Sequence, residues 1–178
     1  MNDSTYGPGG RGAIIGYSII ASTLGRLLVA GTRHGLCFAA LGDSDRAIIS
    51  ELRADYPKAS IRRDEALARK WALAIAKNLD GGAAILELPL DIRGTPFQRS
   101  VWEQLRAIPR GETRSYTEIA RRIGRPRAIR AVGTANGANP VAIVIPCHRA
   151  TRASGHLGGY RWGLERKRRL LELEAAHR

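Results

Sequence analysis

On either side of residues 91–94 the apolar side chains of this sequence follow different spacings, and that division constrains the fold more than any other feature. Residues 14–20, 27–30 and 36–41 are short runs rich in Ile, Leu and Val, the last bounded by Gly35 and Gly42, which is the pattern of a small hairpin or meander. Residues 45–56 and 64–79 then read as helices. In the second, Leu67, Trp71 and Ala74 share a face, and Gly81 and Gly82 supply a stop. Residues 86–90 are either a strand or an extended lead out of the unit. Residues 1–92 are thus expected to form a small α+β unit, with no internal repeat and no low-complexity tract.

Beyond residue 94 helix signals dominate. Thr95 can cap, Pro96 occupies the first turn, Gln98 completes a capping box, and Phe97, Val101, Leu105 and Ile108 line one face, which predicts a helix over residues 96–107. Ser115, with Glu118 three residues later, opens a second helix that carries Ile119 and Ile123 and ends at Gly124. Pro126 starts a third segment, in which Ile129 and Val132 are expected to point inward while Arg127, Arg130 and Thr134 are left for solvent or a ligand. Two short helices joined by a tight turn containing Gly form a helix-turn-helix pattern, whose second helix commonly enters a DNA groove. Here that helix is slim, built on Ala128, Ala131, Gly133, Ala135 and Gly137. Major-groove readers usually present Asn, Gln, Arg or Lys to base edges. Small residues with one projecting Arg suit shallow insertion in the minor groove; close helix packing around Gly and Ala is the alternative.

Charge divides the chain at the same place. Residues 1–92 carry 11 Lys and Arg against 10 acids, whereas residues 93–178 carry 18 against 6, so the second half holds nearly all of the formal net charge of +13. Such a concentration fits a surface that tracks phosphates, or else a merely solubilising one. The chain has 178 residues, enough for one sizeable core or two small ones at the usual ~100–150 residues per domain. Cys37 and Cys147 are the only cysteines, which leaves no basis for a disulfide framework and points to a reducing compartment. Residues 1–12 lack the basic and apolar regions of a signal peptide, and no apolar run approaches the ~20 residues that span a bilayer. A cytoplasmic location with no membrane partner is expected. No metal cluster is visible and no cofactor is expected.

The chemistry concentrates in residues 143–149, Ile-Val-Ile-Pro-Cys-His-Arg, where a thiol stands between an apolar run and an imidazole that can activate it. In an extended segment His148 would point away from Cys147, so the pair requires a turn or a bridging water. Pro146 supports a turn, and Asn139, before Pro140, can tie backbone groups together there. The imidazole needs a carboxylate to fix its tautomer. A final helix over residues 164–176 offers Glu174, three residues after Leu171 and four after Leu170, on the leucine face rather than the wet face of Arg166 and Arg169. A buried, inert Cys beside a surface His is the competing reading. Cys37, between Leu36 and Phe38 in an apolar run, is expected to be structural.

Residues 139–149, together with Gly158-Gly159-Tyr160-Arg161-Trp162-Gly163, resemble the O6-alkylguanine-DNA alkyltransferase family, also called methylated-DNA–protein-cysteine methyltransferases, and within it the C-terminal half of the bacterial Ada proteins. The resemblance covers nearly the whole chain. It implies a ribonuclease-H-like α/β domain over residues 1–92 and a mainly helical, DNA-binding and catalytic domain with a helix-turn-helix over residues 93–178. Ada's zinc-binding domain has no counterpart in these residues, so its transcriptional role is not expected. The implied activity is stoichiometric transfer of an alkyl group from O6-alkylguanine, and from O4-alkylthymine, to Cys147, on a base flipped out of double-stranded or single-stranded DNA by a monomer. Carried over residue by residue, His148 acts as base through a water, Glu174 orients it, and Asn139 braces the turn. Tyr116 crowds the adjacent phosphate and bonds the guanine, and Arg130 takes the place of the flipped nucleotide. Arg127, Ala128, Ala131, Gly133 and Thr134 face the DNA; Tyr160, Arg161 and Ala150 form the pocket. Where the family usually has two bulky apolar residues after the arginine, this chain has Ala150 and Thr151. A cysteine hydrolase would also use Cys147 and His148, but it would have no use for Arg130 on a slim basic helix.

Overall fold

The computed structural model describes residues 4–81 and 87–176; Gly82 and Leu86, used above, lie outside them. Strands β1 (Ile14–Ser22), β2 (Gly25–Thr32) and β3 (Gly35–Gly42) form an antiparallel meander where the three apolar runs predict it. A fourth strand, β4 (Ser60–Arg63), pairs in parallel with β1 and gives the order β3-β2-β1-β4. Sequence reasoning missed it because an edge strand with mostly exposed side chains, Ser-Ile-Arg-Arg, lacks an apolar run.

Helix α1 (Asp45–Asp55) is capped by Ser44 and buries Ile48 and Leu52; α2 (Glu65–Leu79) is capped by Asp64 and packs on β1 and β2. The face of α2 differs from expectation. Ala68, Trp71, Ala72, Ile75 and Leu79 are buried, while Leu67 and Ala74 only flank them. Alanines inside the stripe let the helix lie close to the sheet, which volume-blind reading of large residues alone does not register.

The outer edge of β3 is covered by two later stretches. Leu36 N donates to Pro89 O (2.8 Å) and Asp91 N to Leu36 O (2.9 Å); further along, Ala39 N donates to Pro140 O and Ala142 N to Ala39 O, both at 2.9 Å. Residues 87–90 are therefore an extended lead with a single bridge at Leu90 rather than a full strand. The second stretch runs directly into Cys147, so the sheet edge holds the candidate nucleophile's segment.

After the junction come α3 (Pro96–Arg106), α4 (Tyr116–Arg122), α5 (Ile129–Gly137) and α6 (Leu164–Ala176), with the two-residue strands β5 (Arg114–Ser115) and β6 (Ala150–Thr151) paired in parallel. Both capping boxes form, Thr95 with Gln98 and Ser115 with Glu118. Trp102 is buried and donates Nε1 to Ala135 O (2.8 Å), pinning α3 to α5. One expectation fails here. Ile129 is 39% exposed, because α5 begins at that residue rather than at Pro126, and the buried stripe is Val132, Ala135 and Asn136. The fold is mixed α+β around one continuous apolar cluster. Among the described residues, no helix is long and apolar enough to cross a membrane.

Candidate active site

Residues 139–150 are buried throughout, and they reach Cys147 by successive turns rather than by a strand. Val144 N bonds Ala142 O, Ile145 N bonds Val141 O, and Cys147 N bonds Ile145 O, with Ile143 in the left-handed region at φ 72°. A β-branched residue rarely adopts that conformation, so the surrounding packing must impose it. Cys147–Arg149 is then one 3₁₀ turn, the geometry that an adjacent thiol and imidazole require. Asn139 braces it: Nδ2 donates to Ile145 O (2.8 Å), Val141 O (3.3 Å) and Cys147 Sγ (3.1 Å), and Oδ1 accepts from Val141 N (3.0 Å).

Behind the turn, α6 brings Glu174 to His148. His148 Nε2 donates to Glu174 Oε1 at 2.8 Å, and both residues are buried. Arg149, 8% exposed, grips the same carboxylate with Nε and Nη2 (2.9 and 2.8 Å) and reaches Ile108 O with Nη1 (2.6 Å). Burial alone would raise the Glu174 carboxyl, but the hydrogen bonds and charges of His148 and Arg149 prevail and hold it near 2. Burial lowers the basicity of His148 against the pull of Glu174, so the resting imidazole is neutral. Its Nδ1 is buried and makes no hydrogen bond among the described residues. Burial also pushes the Cys147 thiol up to about 11, opposed by the Asn139 hydrogen bond and by the charges of Lys167 and Arg161. The resting sulfur is a thiol.

Cys147 opens on a cavity of about 440 Å³. Tyr116, Arg130, Gly133, Thr134 and Gly137 border it from α4 and α5, and Gly158, Gly159, Tyr160 and Arg161 from the facing loop. Arg130 is exposed at this border; Arg127 and Ala131 are exposed outside it, and half-buried Ala128 is the N-cap residue of α5. A side chain at Gly158 would press on Tyr116, its Cβ only 3.0 Å from the phenol oxygen. Burial raises the Tyr116 phenol, and the neighbouring Cys147 raises it further. Ala150, expected in the pocket wall, is fully buried and does not border the cavity; its backbone pairs with Arg114 and its carbonyl accepts a hydrogen bond from Lys167.

Lys167 is what sequence reasoning missed. It is fully buried and ties the residue after the 3₁₀ turn to the pocket loop, donating to Ala150 O (2.6 Å), Leu157 O and Gly159 O (3.3 Å). Burial lowers its ammonium to about 8, against the pull of Cys147. The signal was present: Lys167 stands three and four residues before Leu170 and Leu171 and seven before Glu174, on the same stripe. Arg152 and Asn136, which also border the cavity, and the Arg149 clamp were missed too. Among the described residues, no group of His, Cys, Asp or Glu could hold a metal ion.

These features define a protein built around one buried cysteine on a cavity, beside a carboxylate-held imidazole. The description "6-O-methylguanine DNA methyltransferase, DNA binding domain" matches residues 96–176. The chain is 44% identical over 175 residues to the bifunctional transcriptional activator/DNA repair enzyme Ada of Escherichia coli, covering 98% of this chain and 49% of that protein, so it spans about half the length of that relative. It is 43% identical over 164 residues to the methylated-DNA–protein-cysteine methyltransferase of Mycolicibacterium paratuberculosis, covering 92% of this chain and 94% of the relative. The crystal structure of Mycobacterium tuberculosis OGT in complex with DNA superposes with a TM-score of 0.76 at 41% identity, over 90% of this chain and 93% of that one. The chain belongs to the 6-O-methylguanine DNA methyltransferase family.

Proposed function

We propose that this protein repairs DNA by direct reversal, moving the alkyl group of O6-alkylguanine onto its own Cys147. The observation that carries this reading is the position of Cys147 on a cavity bordered by Arg130 and α5, with Asn139 on the sulfur. A base flipped out of a duplex can bring its O6 substituent to that sulfur, and a stacked base cannot. Residues 1–92 serve as a ribonuclease-H-like domain and residues 93–178 as the DNA-binding and catalytic domain; the meander with its parallel fourth strand and two helices supports the first assignment. For the second, α4 and α5 act as a helix-turn-helix, with slim α5 in the minor groove and Arg130 filling the gap in the base stack. Arg127, Ala128, Ala131, Gly133 and Thr134 meet the DNA around it. The protein acts as a monomer in the cytoplasm, on double-stranded and single-stranded DNA, and without a cofactor.

In the transfer, Cys147 Sγ bonds to the alkyl carbon while the bond from that carbon to O6 breaks and its electron pair leaves with the guanine. The thiol proton passes through a water to His148 Nδ1, the nitrogen that Glu174 leaves available. Tyr116 donates a hydrogen bond toward the purine as charge leaves O6. The proton taken up by His148 returns through water to the departing guanine, so the thiol's proton ends on the base and the imidazole is neutral again. The product is a thioether, whose C–S bond is stable to water, so each molecule reacts once. A resting thiol held up at about 11 makes the base matter: deprotonation is coupled to the bound substrate rather than complete beforehand. Mixing the protein with O6-methylguanine DNA should add one CH₂ mass unit per chain, located on Cys147. Repair in molar excess over protein without added thiol, or mass gained elsewhere, would overturn the reading.

A further inference from the structure

We propose that Glu51 and Asp55, on α1 in the first half of the chain, are positioning residues of the transfer pocket and act through Arg161. The proposal rests on the reading of Cys147 as alkyl acceptor. Arg161 borders the cavity that opens on Cys147. Its Nε donates to Glu51 Oε1 at 2.5 Å and its Nη2 to Asp55 Oδ2 at 2.8 Å. The two carboxylates stand one turn apart on α1 and so grip two edges of a single planar guanidinium. Its faces are held as well, 5.8 Å from the ring centre of Phe38 on β3 and 5.6 Å from that of Trp162. The Arg161 side chain is 23% exposed and those of Glu51 and Asp55 are 28% and 31%, whereas the pair Arg168 and Glu165 on α6 stands at 53% and 85%. Water and salt screen the α1 contacts less than that surface pair.

The pocket wall needs an anchor of this kind. Residues 152–163 form no helix or strand and include Gly155, Gly158 and Gly163 with φ of 84°, 70° and 95°, so the backbone does little to select one conformation. Lys167 holds the wall from α6, within the same half of the chain. Arg166 reaches back to Leu24 O and Asp43, but it does not border the cavity. Arg161 does both. Its donors are engaged by carboxylates, which withdraws it from the phosphate contacts that a net +12 half would otherwise suggest. The first half of the molecule thereby reaches into the pocket without supplying a side chain to the reaction.

The test is single-turnover transfer to Cys147 from O6-methylguanine duplex and from free O6-methylguanine base, in wild type, Glu51→Gln/Asp55→Asn, Arg161→Met and the triple variant. Each of the first two variants should slow transfer from both substrates about tenfold, a part of the ~100-fold that a 1 Å misplacement can cost. The triple variant should be no slower than Arg161→Met alone, because both changes act through one guanidinium. Affinity of Glu51→Gln/Asp55→Asn for undamaged duplex should not fall, since losing two acidic charges favours DNA. Multiplicative slowing in the triple variant would overturn the proposal. So would an unchanged rate in Glu51→Gln/Asp55→Asn, or slowing that vanishes once the unfolded fraction, read by thermal melting, is subtracted. Wild type that gains no alkyl mass would instead defeat the functional reading and leave the salt bridges without a task.

Discussion

Cys37 and Cys147 are buried to nearly the same depth, 0% and 2% exposed, and burial is the largest influence raising both thiols. Their surroundings differ in direction. Cys37 sits within β3, its carbonyl accepts the Tyr56 hydroxyl (2.7 Å), and the Asp91 charge drives its thiol further up. Cys147 starts a 3₁₀ turn on a cavity, receives the Asn139 amide on its sulfur, and feels the cations Lys167 and Arg161, which all favour thiolate. Burial therefore does not tell the two thiols apart. Access for an electrophile and the sign of the neighbouring charges do.

The widest break between the two comes from Cys147→Ser, which should lower transfer by more than about a thousandfold, since a serine hydroxyl stays protonated and is the weaker nucleophile. Labelled-alkyl transfer measures this, and residual transfer onto Cys37 would erase the distinction. Glu174→Gln should come next, slowing transfer near neutrality about a hundredfold and moving the thiol titration up, because His148 loses the carboxylate that makes it a better proton acceptor. The same change strands the Arg149 guanidinium, so this variant also melts lower; removing one partner of a buried ion pair costs about 3–5 kcal/mol. Its acid behaviour gives a separate check. Glu174 is held near 2 against an ordinary 4.5, so the stability it brings is complete above about pH 4.5 and is lost as pH falls towards 2. Acid melts of Glu174→Gln should lack that part of the decline.

Arg130→Ala should slow repair in duplex about thirtyfold but affect free base by less than about twofold, as flipping costs a few kcal/mol that free base never meets. Equal slowing of both would assign Arg130 to the chemistry or the fold. Lys167→Met should raise the Cys147 titration, because the thiolate loses a neighbouring cation, read from the pH dependence of iodoacetamide labelling. Since the Lys167 ammonium is lowered from 10.5 to about 8 in the fold, wild-type stability should gain from rising pH between those values, and the variant should not. Smallest of all, Cys37→Ala should leave transfer within about twofold and cost about 1 kcal/mol of stability in denaturant melts.

The elements with local signals were legible from the sequence: three apolar strands, two capping boxes, and a carboxylate on the leucine face of α6. What stayed hidden depends on partners far along the chain. β4 exists because β1 offers it an edge, and the buried face of α2 follows the shape of the sheet beneath. Ile129 read as inward because helical periodicity was counted from Pro126, whereas the helix starts three residues later. Glu174 was recognisable as an acid needing a partner, yet Lys167 on the same stripe passed as one more positive charge in a basic half. Its targets are main-chain carbonyls, which no residue letter announces.

Because residues 89–91 and 139–142 follow β3 in the chain, the ribosome releases that strand before the segments that cover it. For the time needed to synthesise some fifty to a hundred further residues, at ~5–20 per second, Leu36 and Ala39 have unpaired backbone groups. An open, apolar edge is a template for a neighbouring nascent chain. Conditions that slow elongation across residues 93–142 should then lower the soluble yield of this protein.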